Sequence, residues 1–504
     1  MRSKKAFYNV ISNLILQFFI FAYGFILPKI IMSNYGSNVN GLISSITQFL
    51  AYISLLESGV GPVVKSRLYK PIADKNTNEI RNILYATDKF FKKIAFIFIA
   101  YILILLLFYP KMISLNNSTL YVSSLIIIIS VSIFCEYFFG MVYSIFLQAN
   151  QETYVISVIQ IGTYFLAIII ALFMAKKEVS VHTLKLGTSL IFVLRPIIQN
   201  LYVKRKYNIK LADANKDYVL KDKWDGLAQH IAYVIHTNTD ITILSIFSTL
   251  SEVSVYSVYM LIVKGVKALI SSFSSGLDAA FGDMISKKEI ENLRIKFEMY
   301  EIVYFIICSI LFSCSLVLIV PFVEIYTQNI HDANYIRPIF AILLVISECI
   351  WSVRLPYLTL TYANGDFRQT RVGAWVECLS NIIISLILVK RFGIVGVAIG
   401  TIIAMVIRTI EFIYHSNKRI LKVDTFNSVK KIMLMSFIIL MVSLLSNYFN
   451  LCSADNYLNW LIKAIVVFTL TTIITIILNI IAYNEKTIKI FKLASSIILR
   501  KLKK

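Results

Sequence analysis

The sequence predicts an all-α polytopic membrane protein with about fourteen transmembrane helices. Fourteen apolar stretches follow one another along the 504 residues, and about 20 apolar residues are enough to cross a hydrocarbon core of about 30 Å. Hydrophobic residues make up 58% of the chain and charged residues 15%, a composition typical of a protein surrounded mostly by lipid. The predicted spans are 8–32, 41–64, 94–110, 119–146, 153–175, 183–203, 226–248, 253–282, 300–326, 336–361, 371–389, 393–415, 431–450 and 459–483.

The basic residues predict the topology. When residues at span ends are counted with the adjoining loop, the loops on the amino-terminal side hold 36 of the 50 Lys and Arg, and the opposite loops hold 7. Cytoplasmic loops carry such an excess, so both termini are predicted to be cytoplasmic. The first apolar run continues past twenty residues without a short apolar core and a small-residue cleavage site, which predicts a first helix rather than a signal peptide.

The net charge of +22 does not indicate a nucleic-acid partner. The excess lies in the predicted cytoplasmic loops and in the tail 486–504, where anionic membrane lipids are the expected partner. The stretches 75–93, 285–299 and 486–504 mix basic residues with spaced Ile, Leu and Phe. They are predicted to form interfacial helices, with a solvated basic connector as the alternative.

Motifs of enzymes and metal proteins are missing from the sequence. The six cysteines occur singly, without a C-x-x-C or Cys/His cluster, and the five histidines lack metal-binding spacing. No nucleophile elbow or glycine-rich phosphate loop occurs. The longest hydrophilic segments, 65–93 and 204–225, are too short for a catalytic domain. The prediction is a non-enzyme without a metal or cofactor, apart from Na⁺ or H⁺ as a coupling ion.

An internal repeat occurs at an offset of 213 to 214 residues. Three pairs of segments match: 37–39 with 251–253, 148–150 with 362–364, and 187–195 with 400–408. The third pair consists of Gly-Thr followed by an arginine, Arg195 or Arg408. These matches predict two homologous six-helix lobes related by an axis along the membrane normal, with a cavity between them. Chance similarity among apolar helices is the alternative. The predicted domains are the lobe 1–203, the cytoplasmic linker 204–225, the lobe 226–420, and two further helices with a basic tail, 421–504.

Ionisable residues inside predicted spans indicate which helices line the interior. Each costs roughly 2.5 to 3.5 kcal/mol or more at the bilayer centre, so it usually faces a bundle interior or a wet cavity. The intramembrane residues of this kind are Glu57, Glu136, Arg195, Asp240, Lys264, Lys267, Glu348, Arg354, Glu377, Arg408 and Glu411.

Lys264 and Lys267 are the strongest candidates for substrate binding. They are three residues apart, share one helix face, and lie about 11 and 14 residues into their span. A wet cavity that holds an anionic ligand explains them. Structural pairing with Asp240 or Glu348 explains them as well.

Four other basic residues are predicted to contact the substrate. Arg195 and Arg408 lie nearer the cytoplasmic surface, where partial snorkelling is the alternative, and Arg408 also has an intrahelical partner in Glu411. Arg354 precedes Pro356, whose kink could direct it to the cavity. Lys29 follows Pro28 near the outer end of span 1, where a role at the outer mouth and snorkelling are both open.

Three acidic residues are candidates for ion coupling: Asp240, Glu57 and Glu348. Asp240 ends the polar run 237–240, one turn after His236, and its carboxylate could take a proton or a sodium ion. Glu57 precedes the sequence SGVG at 58–61, where span 2 could break or bend. Helix–helix hydrogen bonding is the alternative role for both Asp240 and Glu57.

Three segments resemble bacterial polysaccharide-biosynthesis flippases of the Wzx type. They are 35–57, which contains YGSNVNG, SSITQF and SLLE; 365–370, which reads GDFRQT; and 393–401, which reads GIVGVAIGT. The resemblance covers essentially the whole chain. It implies a fold of the group that also holds MATE multidrug exporters and lipid II flippases, the MOP superfamily.

The same resemblance implies a function. It implies flipping of undecaprenyl-pyrophosphate-linked oligosaccharides across the bacterial cytoplasmic membrane, for capsule, exopolysaccharide or O-antigen-like polymers, with a polysaccharide polymerase and other assembly proteins as possible partners. The lipid II branch relies on cavity arginines early in the chain, whereas span 2 here has Glu57, which argues against lipid II as cargo. A cation-coupled drug exporter and a membrane polymerase are the alternatives, and the short outer loops argue against the polymerase.

Overall fold

The computed structural model describes residues 2–57, 60–113, 118–209, 211–215, 218, 227–274, 277–451 and 453–502, and these residues contain helices without any strand. The helices are α1 Arg2–Tyr35, α2 Ser37–Ala51, α3 Val60–Ala73, α4 Thr77–Met112, α5 Thr119–Cys135, α6 Met141–Ala149, α7 Thr153–Lys176, α8 Val181–Tyr207, α9 Leu227–Phe247, α10 Leu250–Ser274, α11 Leu277–Ser286, α12 Ile290–Tyr326, α13 Pro338–Ala363, α14 Arg371–His415, α15 Thr425–Tyr448 and α16 Tyr457–Leu502.

The predicted membrane architecture is confirmed. Among the described residues, twelve helical segments are long and apolar enough to cross a membrane. One of them, Arg371–Leu421, is two helices joined at Gly393, whose φ of 54° and ψ of −129° break the helical path. Such a positive φ favours glycine. Counted with the 21-residue α9, the helices correspond to the fourteen predicted spans, and the protein is a multi-pass membrane protein.

The predicted second span, 41–64, is wrong at its carboxyl end. α2 continues only as a 3₁₀ turn, Tyr52–Leu56, and a separate helix α3 starts at Val60. The predicted break beside Glu57 is therefore present. The tighter 3₁₀ turn directly precedes this break, and residues 58–59 lie outside the described residues.

The stretch 75–93 is helical, but it is not a separate interfacial helix. It forms the first half of α4, whose 36 residues extend about 54 Å at 1.5 Å per residue, more than the hydrocarbon core requires. The Asn76 side chain accepts a 3.1 Å hydrogen bond from the Glu79 backbone N–H and caps this helix. The stretch 285–299 likewise continues into the long helix α12, from Ile290. The stretch 486–502 is helical and is separated from the membrane-spanning part of α16 by a break at Tyr483, whose φ is −136° and ψ 42°.

By packing, the described chain divides into two compact units, Met1–Ser254 and Val255–Lys504. Unit 1 has a continuous apolar core that includes Leu42, Val64, Leu84, Phe98, Leu125 and Leu147. Of the predicted linker 204–225, the structure describes 204–209, 211–215 and 218, which include the end of α8 and a short 3₁₀ turn, Leu211–Asp213. The predicted lobe boundaries stay a prediction.

The strongest sequence match of the repeat has the same local packing in both units. A Cβ on Gly187 of α8 would lie 2.8 Å from the Met174 side chain of α7, and a Cβ on Gly400 would lie 2.3 Å from Ser385 in the first half of α14. In each case the helix approaches the preceding helix through a glycine, as small residues allow in membrane bundles. The next residues, Thr188 and Thr401, both bond to the carbonyl four residues earlier, at 3.2 and 3.1 Å.

A second repeat match leads to two carboxylates, Glu152 and Asp366, that each bind the end of another helix. We call these contacts acidic clamps, and sequence reasoning missed them. Glu152, two residues after the segment 148–150, accepts hydrogen bonds from Lys206 at 2.9 Å and from the Tyr207 hydroxyl at 2.6 Å, and lies 3.0 Å from Lys5. Asp366, two residues after the segment 362–364, lies 2.7 Å from the His415 Nε2. In each unit a carboxylate in this turn holds the carboxyl end of the helix that carries the repeated arginine.

Candidate functional site

Lys264 and Lys267 lie on the same face of α10 and share one carboxylate. The Lys267 ammonium lies 2.9 Å from Glu348 Oε2 in α13 and 3.7 Å from the centre of the Trp351 ring, one turn further along α13. Glu348 Oε2 has no hydrogen-bond partner among the described residues. Its contact with the Lys267 ammonium is therefore mainly electrostatic. Of the two partners considered from the sequence, Glu348 is the one found against Lys267.

Lys264 differs from its neighbour. Its side chain is exposed, and among the described residues no ion pair or hydrogen bond involves its ammonium. Its charge interacts with both Glu348 and Lys267. Two ammonium groups therefore face a single carboxylate that is 5% exposed. The excess positive charge on this helix face fits an anionic group better than a cation.

Arg354 and Arg408 meet at a second carboxylate in the same unit. Arg354 Nη1 donates a 2.6 Å hydrogen bond to Glu377 Oε1, and Arg408 Nε lies 3.6 Å from Glu377 Oε2. Arg408 also pairs with Glu411, the intrahelical partner expected from the sequence, and donates a 2.7 Å hydrogen bond to the Thr370 carbonyl. Two guanidinium groups and two carboxylates thus balance their charges in a buried network.

A residue larger than glycine at position 373 would displace the side chains of this network. A Cβ on Gly373 would lie 1.6 Å from Glu411 Oε2 and 2.5 Å from Arg408 Nη1. Arg354 and Arg408 are 5% and 2% exposed. In this conformation the two predicted substrate contacts are enclosed and paired, and their predicted contact with cargo stays a prediction.

Arg195 in unit 1 retains an unsatisfied donor. Its Nε donates a 2.7 Å hydrogen bond to the Thr163 hydroxyl, and its guanidinium carbon lies 4.2 and 4.1 Å from the ring centres of Tyr164 and Phe192. Its Nη2 is buried and has no hydrogen-bond partner among the described residues. Its charge also interacts with the Glu136 carboxyl. A buried guanidinium with a spare N–H can donate to an anion that reaches it.

The acidic candidates in unit 1 occupy separate places. Glu57 accepts a 2.5 Å hydrogen bond from the Tyr137 hydroxyl. Asp240 is 7% exposed and follows Asn238, whose amide donates 2.7 Å to the Val234 carbonyl and accepts from Gln48. Lys29 is half-buried one residue after Pro28 in α1. The polar run of α9 thus has a hydrogen bond to another helix at Asn238, from Gln48 of α2, and both the ion-site role and the hydrogen-bonding role of Asp240 stay predictions.

The sequence reasoning also missed a buried ion pair between α12 and α15. Lys431 of α15, 5% exposed, pairs with Glu301 of α12, 2% exposed, which also accepts a hydrogen bond from the Tyr357 hydroxyl. Both charged residues lie at predicted span ends, where they suggest snorkelling rather than pairing. Among the described residues, no group of three or more His, Cys, Asp or Glu could hold a metal ion.

Comparison with solved structures defines the class of fold. Over 94% of this chain and 99% of the other, the protein is similar to the lipid II flippase MurJ in an inward closed conformation, with a TM-score of 0.67 and 16% identity. It is also similar to an inward-facing multidrug resistance MATE family transporter of the MOP superfamily, with a TM-score of 0.60 and 12% identity over 80% of this chain and 97% of that chain.

A third structure agrees with these two. The Vibrio cholerae MATE transporter VcmN, in its bent form, gives a TM-score of 0.53 at 14% identity over 84% of this chain and 98% of that chain. No family model matches the sequence, and no curated protein matches it. The protein therefore has the fold shared by MurJ and the MATE transporters of the MOP superfamily, as the sequence predicted.

Proposed function

We propose that the protein flips undecaprenyl-pyrophosphate-linked oligosaccharide repeat units from the inner to the outer leaflet of a bacterial cytoplasmic membrane, for capsule, exopolysaccharide or O-antigen-like polymers. The fold supports this proposal because one protein of similar structure is a lipid II flippase. The segments 35–57, 365–370 and 393–401 support it through their resemblance to Wzx-type flippases. Alternating access is the proposed mode of transport.

One observation carries the proposal: two ammonium groups, Lys264 and Lys267, share the single carboxylate of Glu348. A pyrophosphate offers several anionic oxygens that could engage both ammonium groups. A lysine is a compact point charge without bidentate geometry, so the head group could be released when the protein changes conformation. We assign Arg195 a secondary role through its unsatisfied Nη2.

The test is complementation of a strain that lacks the gene. Lys264→Gln and Lys267→Gln should abolish surface polymer, and the lipid-linked oligosaccharide should accumulate in the inner leaflet, while the amount of folded protein is maintained. Lys111→Gln, at the carboxyl end of α4, is the matched control and should complement fully. Normal polymer in the Lys264→Gln, Lys267→Gln double variant would defeat the assignment.

A purely structural role for these lysines gives a different result. If Lys267 serves only to neutralise Glu348, Lys267→Gln should reduce the amount of folded protein, because a buried carboxylate loses its partner. Adding Glu348→Gln should then restore it. Under the proposal, the Lys264→Gln, Lys267→Gln double variant keeps its amount of folded protein without any change at Glu348, and still fails to support polymer formation.

A cation-coupled drug exporter of the same fold is the alternative, because two of the similar structures are MATE transporters. Its cationic cargo would need available intramembrane carboxylates. Glu348, Glu377 and Glu411 each have a basic partner at 4 Å or less, which favours an anionic cargo. Restored resistance to cationic drugs in an exporter-deficient strain, without any effect on surface polymer, would support the exporter instead.

The coupling ion, Na⁺ or H⁺, is proposed to bind at Asp240, with Glu57 and Glu348 as further candidates. The burial of Asp240 supports a site shielded from water. Asp240→Asn should abolish gradient-dependent transport and leave folded protein in the membrane, and unchanged gradient dependence would exclude Asp240. We also propose cytoplasmic termini, and a polysaccharide polymerase and other assembly proteins as partners.

A further inference from the structure

The membrane-entering part of α4 carries a cluster of lysines that the proposed transport site does not use. Lys89, Lys92 and Lys93 are spaced i, i+3 and i+4, so they lie close together on one face of the helix. With Asp88, Tyr85, Phe96 and Ile97 they line a shallow, open groove along this one helix.

The groove carries an excess of positive charge. Lys92 Nζ lies 2.7 Å from Asp88 Oδ2 and 5.3 Å from the centre of the Phe138 ring. Lys89 and Lys93 are exposed, and among the described residues neither has an ion pair within 4 Å. Two ammonium groups therefore remain for an external anion.

The same face of α4 becomes apolar immediately beyond the lysines. Phe96 is 61% exposed and Ile97 is 42% exposed, and Ala100 continues the groove. The opposite face is packed into unit 1 through Leu84, Phe91, Ala95 and Phe98, each at most 1% exposed. The exposed face is therefore a stable surface, cationic at one end and apolar at the other.

The depth of the lysines matches that of lipid head groups. The uninterrupted apolar part of α4 begins at residue 94. At 1.5 Å per residue, Lys93 and Lys89 lie within about 8 Å of that boundary along the helix axis. The head-group region adjoins the hydrocarbon core at this depth.

We propose that this groove binds one anionic glycerophospholipid. The anionic phosphate of the head group would contact Lys89 and Lys93, and an acyl chain would lie along Phe96, Ile97 and Ala100. A soluble anion would leave the apolar part of the groove unused, and a zwitterionic head group would bring its own cation to a surface that is already positive. The proposal does not depend on the identity of the transported cargo.

The experiment is native mass spectrometry of the purified full-length protein titrated with phosphatidylglycerol or phosphatidylcholine. Each lysine near a membrane surface strengthens binding of anionic lipid about fivefold, so Lys89→Gln with Lys93→Gln should weaken phosphatidylglycerol binding about 25-fold. Binding of phosphatidylcholine should stay unchanged. Lys89→Arg with Lys93→Arg keeps both charges and should keep the binding.

The matched control is Lys176→Gln with Lys177→Gln, which removes two exposed charges at the carboxyl end of α7, away from the predicted cytoplasmic basic stretches, and should leave phosphatidylglycerol binding intact. Equal weakening by this pair would show general charge attraction and overturn the assigned site. Competition with polyprenyl pyrophosphate is a second test. If polyprenyl pyrophosphate displaces phosphatidylglycerol at a concentration lower than phosphatidylglycerol itself needs for binding, the groove belongs to the cargo lipid and the assignment is overturned.

Discussion

The side-chain amide of Asn40 donates a 2.7 Å hydrogen bond to the hydroxyl of Ser254, 214 residues later in the chain. This separation equals the offset of the internal repeat, so two equivalent positions, each near the start of its helix, contact each other within unit 1. Asn40 is 3% exposed and Ser254 is fully buried. A hydrogen bond in such a place contributes to both the stability and the register of the two helices.

The first prediction concerns this bond. Asn40→Ala should lower the thermal stability of the purified protein, because removing one partner of a buried hydrogen bond costs about 1–3 kcal/mol. The exchange Asn40→Ser with Ser254→Asn keeps a donor and an acceptor and should recover part of the loss. If the double variant loses at least as much stability as the two single variants lose together, the two side chains do not interact.

The second prediction concerns the adjoining Gly41. A Cβ at this position would lie 1.7 Å from the Leu250 carbonyl oxygen, a backbone atom that cannot rotate away. Gly41→Ala should therefore prevent normal folding or lower the yield severely. Gly162 of α7 has no atom within 4 Å of an added Cβ, so Gly162→Ala is the control and should be neutral or stabilising by about 0.5–1 kcal/mol. Equal yields of the two variants would contradict this packing.

The third prediction concerns the buried network around Glu377. Glu377→Gln leaves the Arg354 and Arg408 charges with less compensation and should destabilise the protein by about 3–5 kcal/mol, the usual cost of breaking a buried pair. Arg354→Gln combined with Glu377→Gln should restore part of the folded yield. Fluorescence-detected size-exclusion chromatography after heating would measure both effects. A normal yield of Glu377→Gln together with lost transport would instead assign Glu377 to the transport site.

The fourth prediction concerns pH and the Glu152 clamp. Burial alone would raise the pKa of this carboxyl, but hydrogen bonds from Tyr207, Lys206 and Lys5 outweigh it and lower the pKa below the ordinary value of 4.5. A carboxyl with a lowered pKa in the folded state stabilises the protein above its unfolded pKa, and this stabilisation is lost as pH falls through the folded pKa. Between pH 7 and 5 the clamp should be intact, and the melting temperature should decline below about pH 4.5.

The matched variant for this clamp is Glu152→Gln. It should lower stability at pH 7 by about 2 kcal/mol, because charge-assisted hydrogen bonds are lost, and it should reduce the decline in melting temperature at acidic pH. Wild-type and variant curves that stay parallel over the whole pH range would exclude Glu152 as the group responsible.

The fifth prediction concerns topology. In a variant whose native cysteines are replaced by serine, Asp455→Cys should react with an impermeant thiol reagent in intact cells, because its loop is predicted to lie outside. Asn78→Cys at the start of α4 should react only after permeabilisation. Both positions are exposed, so accessibility of the side chain does not limit labelling. Reaction on the opposite sides would reverse the proposed orientation.

The helices could be predicted because a membrane restricts the possible structures: each spanning segment must satisfy its own backbone hydrogen bonds. The Arg408–Glu411 pair was also predictable, since three residues along a helix fix the two side chains on one face. Acidic residues are rare inside membrane spans because they are costly there. Few candidates therefore existed for the partner of Lys267, and the sequence offered Asp240 and Glu348.

Contacts between helices distant in sequence were harder to predict. Glu377 joins Arg354 and Arg408 from separate helical segments, and the rotation of each helix decides which charges meet. Lys431 and Glu301 lie near helix ends, where sequence alone does not separate a buried pair from two charges at the membrane surface. The length of α4 was underestimated because its basic first half interrupts the apolar pattern without interrupting the helix.

The glycine contacts between the two halves of α14 have a mechanical consequence. A Cβ on Gly396 would lie 2.5 Å from the Leu388 carbonyl oxygen, and one on Gly400 would lie 2.9 Å from the Ser385 backbone nitrogen, so sliding or rolling of one helix against the other would force backbone atoms to overlap. The two helices therefore move together as one rigid unit. Any tilt of one helix during a working cycle is passed to the other, and the compliance that the cycle needs must come from elsewhere, such as the broken helical path beside Glu57.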